Sequence, residues 1–387
     1  MSDNLKVLIV DDSITYRQIL SKVIAEIKIA EVMGVAPNGK LAIAKIRLAQ
    51  PDIVFLDVSM PEMDGFETLA VLKKEFPNID VVMVSGVSRE NAEVTVKALQ
   101  SGAIDFIPKP LGASADDSIA ELKASITPLI SLALTRKYSK QIKAVDLPKP
   151  KEIKEEKPFI KTIRDHIPFF KKETKEIKIE KEIIKKSERI VKRAEKIDVV
   201  AIGVSTGGPN ALVELIPKIK KDFPLPILAV QHMPPMFTAS LAERLNSLSQ
   251  ISVIEAKNDD LIKPGIMYIA PGGSHMIVKK NGNFKISLID SPPVHSCRPA
   301  VDVLFNSIAS VYGGNVLTVI LTGMGTDGAT GVSSIRTKGG YSIIQDEKTS
   351  VVWGMPGAVA EAGNADEILP LDVIADRITK IIEKGRV

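Results

Sequence analysis

The feature that most constrains this chain is a rhythm that occurs twice. From residue 6 to 110, apolar runs at 7–10, 31–36, 53–56, 81–84 and 104–107 alternate with longer amphipathic stretches. In one of these stretches Ile19, Leu20, Val23, Ile24 and Ile27 fall on a single helical face. Such alternation predicts a parallel sheet with helices on both sides, because each strand must return to the same edge through a crossover. A doubly wound sheet places its site beyond the carboxyl ends of the strands, at the topological switch point. The rhythm resumes at Asp198. Run 199–204 precedes a Gly-Gly-Pro turn and a helical pattern over 211–219, run 227–230 precedes another over 237–248, and run 316–321 precedes a second glycine-rich turn. Asn281-Gly282 between the extended runs 275–279 and 284–289 predicts a β-hairpin. The fold class is therefore α/β twice: a five-stranded parallel, flavodoxin-like N-terminal domain and a C-terminal α/β domain with a hairpin.

Between the two lies a stretch that obeys neither pattern. Residues 139–196 are dominated by Lys, Glu and Ile, with Pro148, Pro150, Pro158 and Pro168 and no glycine. The first half reads as a stiff extended linker. Beyond Pro168 the spacing of Ile177, Ile179, Ile183, Ile184, Ile190 and Val191 supports a helix, and Phe169-Phe170 is either a docking point or an incidental apolar pair. The expected boundaries are 1–125, a linker over 126–196, and 197–387. The net charge of +4 resides largely in this mixed Lys/Glu segment, so it describes a solvated linker and not a nucleic-acid surface. No apolar run approaches the ~20 residues that cross a bilayer, which excludes direct membrane insertion. Met1-Ser2-Asp3-Asn4 lacks the basic start of a signal peptide, so a cytoplasmic location is expected. One cysteine, Cys297, can form neither an internal disulfide nor a cysteine metal cluster.

The strand ends carry chemistry. Asp11-Asp12 follows the first run, Asp57 ends the third, Ser85 ends the fourth and Lys109-Pro110 follows the fifth. Any one aspartate there could simply cap the next helix, but clustered carboxylates with a lysine suit a hard divalent cation that keeps waters, namely Mg²⁺, with Asp57 as acceptor of a phosphoryl group. Ser85 can donate to a phosphoryl oxygen and Lys109 can pair with it. The segments Val-Asp-Asp-Ser, Phe-Leu-Asp-Val-Ser-Met-Pro-Glu-Met-Asp-Gly, Val-Ser-Gly and Ile-Pro-Lys-Pro resemble the response-regulator receiver family over about the first 125 residues. The resemblance implies phosphorylation of Asp57 by a chemotaxis histidine kinase, Mg²⁺ held by Asp12 and Asp57 with Asp11 nearby, and switch roles for Ser85, Phe106 and Lys109. Phe106 reads equally well as plain core.

In the second half, Gly203-Val204-Ser205-Thr206-Gly207-Gly208-Pro209 puts Ser205 on a sharp turn at a helix N-terminus, where unpaired N–H groups favour negative charge. Taken alone, this turn suits a nucleophile or a phosphate site. Two further motifs decide between them. Val230-Gln231-His232-Met233-Pro234 and Leu321-Thr322-Gly323-Met324-Gly325-Thr326-Asp327-Gly328 place a histidine and an aspartate beyond later strands. A serine becomes nucleophilic beside an imidazole, and the imidazole needs a carboxylate to fix its tautomer. The chain order Ser, His, Asp excludes the α/β-hydrolase superfamily, whose order is Ser, Asp, His.

With Pro234-Pro235-Met236-Phe237-Thr238, Ala270-Pro271-Gly272-Gly273 and Arg298-Pro299-Ala300-Val301-Asp302-Val303-Leu304-Phe305, these motifs resemble the catalytic domain of the chemotaxis protein-glutamate methylesterases, from about Asp198 onward. The resemblance implies Ser205 as nucleophile, His232 as base, Asp327 as its orienter, and Met324 N–H with Thr206 as oxyanion donors. It implies hydrolysis of glutamate γ-methyl esters on methyl-accepting chemoreceptors, with glutamine deamidation and no cofactor for the hydrolase. His295 and Cys297, two apart, could face one side of a strand as a dyad or metal pair. His275 belongs to the hairpin, His166 to the linker, and Asp198 and Asp302 read as a strand-edge and a helix surface charge. Arg298 reads either as a contact for an acidic receptor helix or as a solvent salt bridge. A DNA-binding output is excluded by the lack of a compact three-helix run, and a docking module that has lost activity would not need the intact serine, histidine and aspartate.

Overall fold

The computed structural model describes residues 4–110, 115–144 and 196–384. The linker expectations, including the helix beyond Pro168, Phe169-Phe170 and His166, lie outside the described residues.

The N-terminal lobe alternates strand and helix without exception: β1 (Leu5–Val10), α1 (Ile14–Ala25), β2 (Ala30–Ala36), α2 (Gly39–Leu48), β3 (Ile53–Asp57), α3 (Gly65–Glu75), β4 (Asp80–Ser85), α4 (Arg89–Gln100), β5 (Asp105–Pro108) and α5 (Ala115–Ala144). Helix starts are set by short polar side chains that accept a first-turn N–H: Ser13, Asn38, Asp64 and Ser88. Asp64 and Glu67 complete a reciprocal capping box. The strands pair in parallel in the order β2-β1-β3-β4-β5. Because β1 lies between β2 and β3, the chain reverses direction across the sheet there, opening a crevice at the ends of β1 and β3. One apolar layer joins Val7, Ile9, Phe55 and Val84 to α1 and α5; the other joins Leu8, Val54, Leu56 and Met83 to α2, α3 and α4. Ile126, Leu129, Ile130 and Ala133 are part of the first layer, so this core continues past residue 125.

The C-terminal lobe comprises β6 (Val199–Val204), α6 (Gly208–Leu215), β7 (Ile227–Gln231), α7 (Phe237–Leu248), β8 (Ser252–Glu255), β9 (Ile266–Ile269), β10 (His275–Asn281), β11 (Asn283–Ile289), α8 (Val301–Tyr312), β12 (Val316–Ile320), α9 (Ala329–Arg336), β13 (Tyr341–Gln345), α10 (Gly354–Glu361), β14 (Glu367–Leu369) and α11 (Leu371–Lys384). Seven strands form a parallel sheet in the order β14-β13-β12-β6-β7-β9-β8. β6 is central and fully buried, flanked by β12 and β7, so the switch point lies at its carboxyl end. The hairpin forms as a separate two-stranded ribbon. Its pairing runs through Asn281 and Asn283, leaving Gly282 alone at the tip with φ +71°; the turn is tighter than a two-residue Asn-Gly loop. The helix expected over 211–219 begins at Gly208 and tightens into a 3-10 turn at Ile216–Lys218, where Pro217 lacks the N–H to continue an α-helix.

No helix of the described residues is long and apolar enough to cross a membrane.

Candidate functional site

Parallel pairing carries the sequence-predicted carboxylates of the N-terminal lobe to one edge. Asp57 is the last residue of β3, and Asp11-Asp12 leaves the end of the adjacent β1. One oxygen from each of the three lies within 4.8 Å of the others. Lys109, just beyond β5, puts Nζ 2.8 Å from both Asp11 Oδ2 and Asp57 Oδ2, and the same ammonium lies 4.7 Å from the centre of the Tyr16 ring. Asp11 Oδ1 accepts Ser13 N–H at 2.8 Å, whereas buried Oδ2 has Lys109 beside it but no hydrogen bond of good geometry. Burial pushes the Asp57 carboxyl up to about 6; the Lys109 hydrogen bond opposes this, and Asp11 and Asp12 add to it. An all-oxygen set with surplus negative charge and an under-satisfied buried oxygen fits a hard divalent cation. Ser85 is buried, accepting from Thr95 Oγ1 at 2.9 Å.

The second constellation grows from the central strand of the larger sheet. Ser205 is the first residue past β6, and its N–H donates to Thr322 O at 3.0 Å. The chain can turn here only with glycine. Gly207 has φ +74°, and a Cβ on Gly208 would come within 2.0 Å of Gln231 Oε1. His232 follows the adjacent β7, with its N–H on Val204 O at 3.2 Å. Its Nδ1 lies 3.1 Å from Ser205 Oγ and its Nε2 2.8 Å from Asp327 Oδ2. Since a carboxylate only accepts, Nε2 carries a proton, and in the neutral ring Nδ1 can receive one from Ser205. The serine therefore meets Nδ1 and the carboxylate Nε2, the opposite assignment of ring nitrogens from the Ser-His-Asp template.

Asp327 is held by three donors: Val301 N–H at 2.7 Å on Oδ2, Asp302 N–H at 2.9 Å on Oδ1, and His232. Burial alone would raise its pKa, but His232 and these two N–H groups bring it below the ordinary carboxylate value. Burial likewise disfavours charge on His232, yet the hydrogen bonds the ring makes to Asp327 and then to Cys297 outweigh it and hold the imidazole at about 9. A serine, a base that receives its proton and a fixed carboxylate are the parts of acyl transfer through a covalent intermediate. Thr206 and Met324, the expected oxyanion donors, line a cavity of about 570 Å³ together with Ser205 and His232.

Comparison with known proteins assigns the chain to a family. Residues 200–378 match the family model of CheB methylesterase, and residues 7–120 that of the response regulator receiver domain. The chain is 43% identical over 379 residues to a protein-glutamate methylesterase/protein-glutamine glutaminase of Trichodesmium erythraeum, covering 97% of this chain and 99% of that one. It belongs to the protein-glutamate methylesterase family. A second methylesterase of that description, from Desulfotalea psychrophila, is 42% identical over 383 residues, covering 98% of this chain and 99% of its own. The crystal structure of the Thermotoga maritima CheB methylesterase catalytic domain is 44% identical, with a TM-score of 0.47, covering 48% of this chain and 99% of that one.

In this methylesterase the receiver lies against the cavity that Ser205 and His232 line. The 570 Å³ cavity is lined from the other side by Phe106, Pro108 and Pro128 of the receiver lobe. Phe106, expected as either core or switch, stacks on Phe237 of α7 with ring centres 4.5 Å apart. Ala92 and Val96 of α4 share one apolar cluster with Leu212 and Leu241. Arg89 pairs with Glu243 at 3.0 Å, Asn210 Nδ2 donates to Leu99 O at 2.8 Å, and Arg244 Nε to Gln100 Oε1 at 3.2 Å. Asp105 is hydrogen-bonded to the Thr206 side chain, and enclosure pushes its carboxyl up to about 6.

The structure corrects the readings of Asp302 and of the His295/Cys297 pair. Asp302 is not a surface charge: it is 4% exposed, and its Oδ2 lies 3.0 Å from His295 Nε2. His295 and Cys297 do not share a strand face. Val294 and Cys297 exchange N–H···O bonds across a tight turn whose central residues, His295 and Ser296, have φ +51° and +60°, and Cys297 meets His232 instead. Arg298 Nη1 donates to Ser291 O at 3.2 Å. A helix-start position adjoining an aspartate turn was the available signal for Asp302; its partner Gly331 lies 29 residues on.

Proposed function

We propose that this chain is a phosphorylation-regulated hydrolase that removes methyl groups from glutamate γ-methyl esters of methyl-accepting chemoreceptors and deamidates receptor glutamines. The observation that carries the chemistry is the 3.1 Å and 2.8 Å chain from Ser205 through His232 to Asp327. Ser205 Oγ attacks the ester carbonyl while its proton passes to His232 Nδ1. Asp327 stabilises the resulting imidazolium, and Thr206 and Met324 N–H serve the developing oxyanion. The Nδ1 proton goes to the leaving methoxide, releasing methanol, and water then hydrolyses the glutamyl-serine ester by the same steps. A glutamine side chain follows the same course with ammonia leaving.

Regulation is by occlusion in this reading. A receptor helix is far too bulky for a cavity roofed by Phe106 and Pro128. Phosphorylation of Asp57 by a histidine kinase draws Ser85 and Lys109 toward the new group and unsettles the β5 face that carries Phe106. Asp11, Asp12 and Asp57 are the residues that would hold Mg²⁺, which would supply charge neutralisation at the phosphoryl oxygens. The family's chemistry belongs in the cytoplasm, where receptor signalling domains and kinases meet. Methanol release from methylated receptor membranes, with and without a small phosphodonor, tests the reading. A phosphodonor-dependent rise is expected, and no release under either condition overturns it.

A further inference from the structure

We propose that Asp302, together with His295, is a positioning residue for the hydrolase, fixing the Asp327 carboxylate against His232; the inference rests on reading Ser205, His232 and Asp327 as the reacting set. The first N–H groups of a helix have no partner within it. In α8 those of Val301 and Asp302 donate to Asp327 at 2.7 and 2.9 Å. Asp327 stands just ahead of α9, and in α9 the N–H of Gly331 donates to Asp302 Oδ1 at 2.7 Å. Each helix start is thus closed by a carboxylate from the other, and neither helix can slide without breaking a bond to the other's acid. Gly331 permits the approach, since a Cβ there would lie 2.5 Å from Phe305 Cβ and 3.2 Å from Asp302 Oδ1.

The exchange brings two buried carboxylates close together, with one atom of each, and one of His295, within 4.8 Å of the rest. His295 Nε2, 3.0 Å from Asp302 Oδ2, is the donor that offsets this proximity. It sits on a turn of two non-glycine residues in the left-handed region, a conformation kept only where surroundings impose it. The same turn delivers Cys297 to His232. Asp302 therefore anchors two neighbours of the catalytic imidazole: Asp327 through the helix starts, and Cys297 through His295.

The test uses the full-length chain with Mg²⁺ and a small phosphodonor, following methanol release from methylated receptor. Asp302→Ala should lower kcat by about a hundredfold, the scale of an ångström of misplacement, with KM within twofold. The acid limb of the kcat/KM profile should move to lower pH, because a loosened Asp327 supports the charged imidazole less well. Asp302→Asn keeps an oxygen for Gly331 N–H and should recover most of kcat. An unchanged kcat, or a drop in melting temperature with the acid limb unmoved, overturns the proposal. If Asp302→Ala does not fold, His295→Ala decides: a several-fold fall in kcat is expected, and none overturns it. Ser205→Ala measured alongside separates the two ideas, since its inactivity with Asp302→Ala intact would sink only the positioning role.

Discussion

The two sheets of this protein present acids at the same topological place, beyond the carboxyl ends of parallel strands, and treat them oppositely. In the receiver, Asp11, Asp12 and Asp57 crowd together with one lysine between them, and a buried oxygen of Asp11 lacks a well-formed hydrogen bond. In the hydrolase, Asp327 is bonded to two backbone N–H groups and a histidine. The first site is left electrostatically incomplete, so binding a cation or a phosphoryl group changes its energy and can change its shape. The second is completed by the fold itself, with both Asp327 oxygens already bonded. A switch needs unfinished charge, whereas a catalyst needs finished geometry.

The strongest way to break that contrast is Ser205→Ala. Methanol release should fall by several orders of magnitude, with circular dichroism unchanged because only a hydroxyl is removed; near-parent activity would remove Ser205 as nucleophile. Asp327→Asn should be milder but still severe, costing up to about 10⁴-fold. It also carries a pH signature. His232 acts as a base when neutral, so with its pKa near 9 activity rises with pH through that value. Loss of the Asp327 charge lowers the pKa and shifts the rise to lower pH. The same raised pKa stabilises the native state fully below about 6.5, the free-histidine value, and this contribution disappears as pH climbs through about 9. An unshifted profile would show that Asp327 does not support the charged ring.

On the receiver side effects should be smaller, because they act through a population. Deleting residues 1–140 should raise basal activity toward the phosphorylated level, by about a hundredfold if closure is worth ~2.8 kcal/mol, whereas Asp57→Asn should stay low and ignore the phosphodonor. A truncated form no more active on receptor than the unphosphorylated parent would exclude occlusion. Asp105→Asn should lower basal activity several-fold at neutral pH: the enclosed carboxyl is charged above about 6 at a cost that an amide avoids, so the closed form gains. Higher basal activity would reverse that assignment. Smallest of all, Asp12→Asn in metal-free buffer should stabilise the receiver by under about 1 kcal/mol by relieving repulsion at an exposed position, while abolishing stabilisation by Mg²⁺. Thermal melts with and without the ion check both halves.

Both constellations were legible in the sequence because parallel α/β topology converts "just after an apolar run" into "at the same edge", which is why residues as distant as Ser205 and Asp327 could be associated. The central strands were equally plain, being unbroken apolar runs such as 199–204. Short edge strands such as Glu367–Leu369 escaped, since three residues carry no period. The burial of Asp302 escaped for another reason: a helix-start aspartate looks the same whether it faces water or another helix's N–H groups, and only tertiary packing decides. The Phe106–Phe237 stack was invisible too, because an aromatic at a strand end reads as core until the second surface is known.

The packing of α4 against α6 and α7 has one further consequence. A surface can be covered by only one thing at a time, so any protein that grips the α4 face competes with the hydrolase lobe for it. By reciprocity, an effector that raises the affinity for such a competitor by separating the lobes has its own affinity raised by the competitor by the same factor. A binder of this helix face and the C-terminal lobe thus contend for the same residues, among them Arg89, Ala92 and Val96.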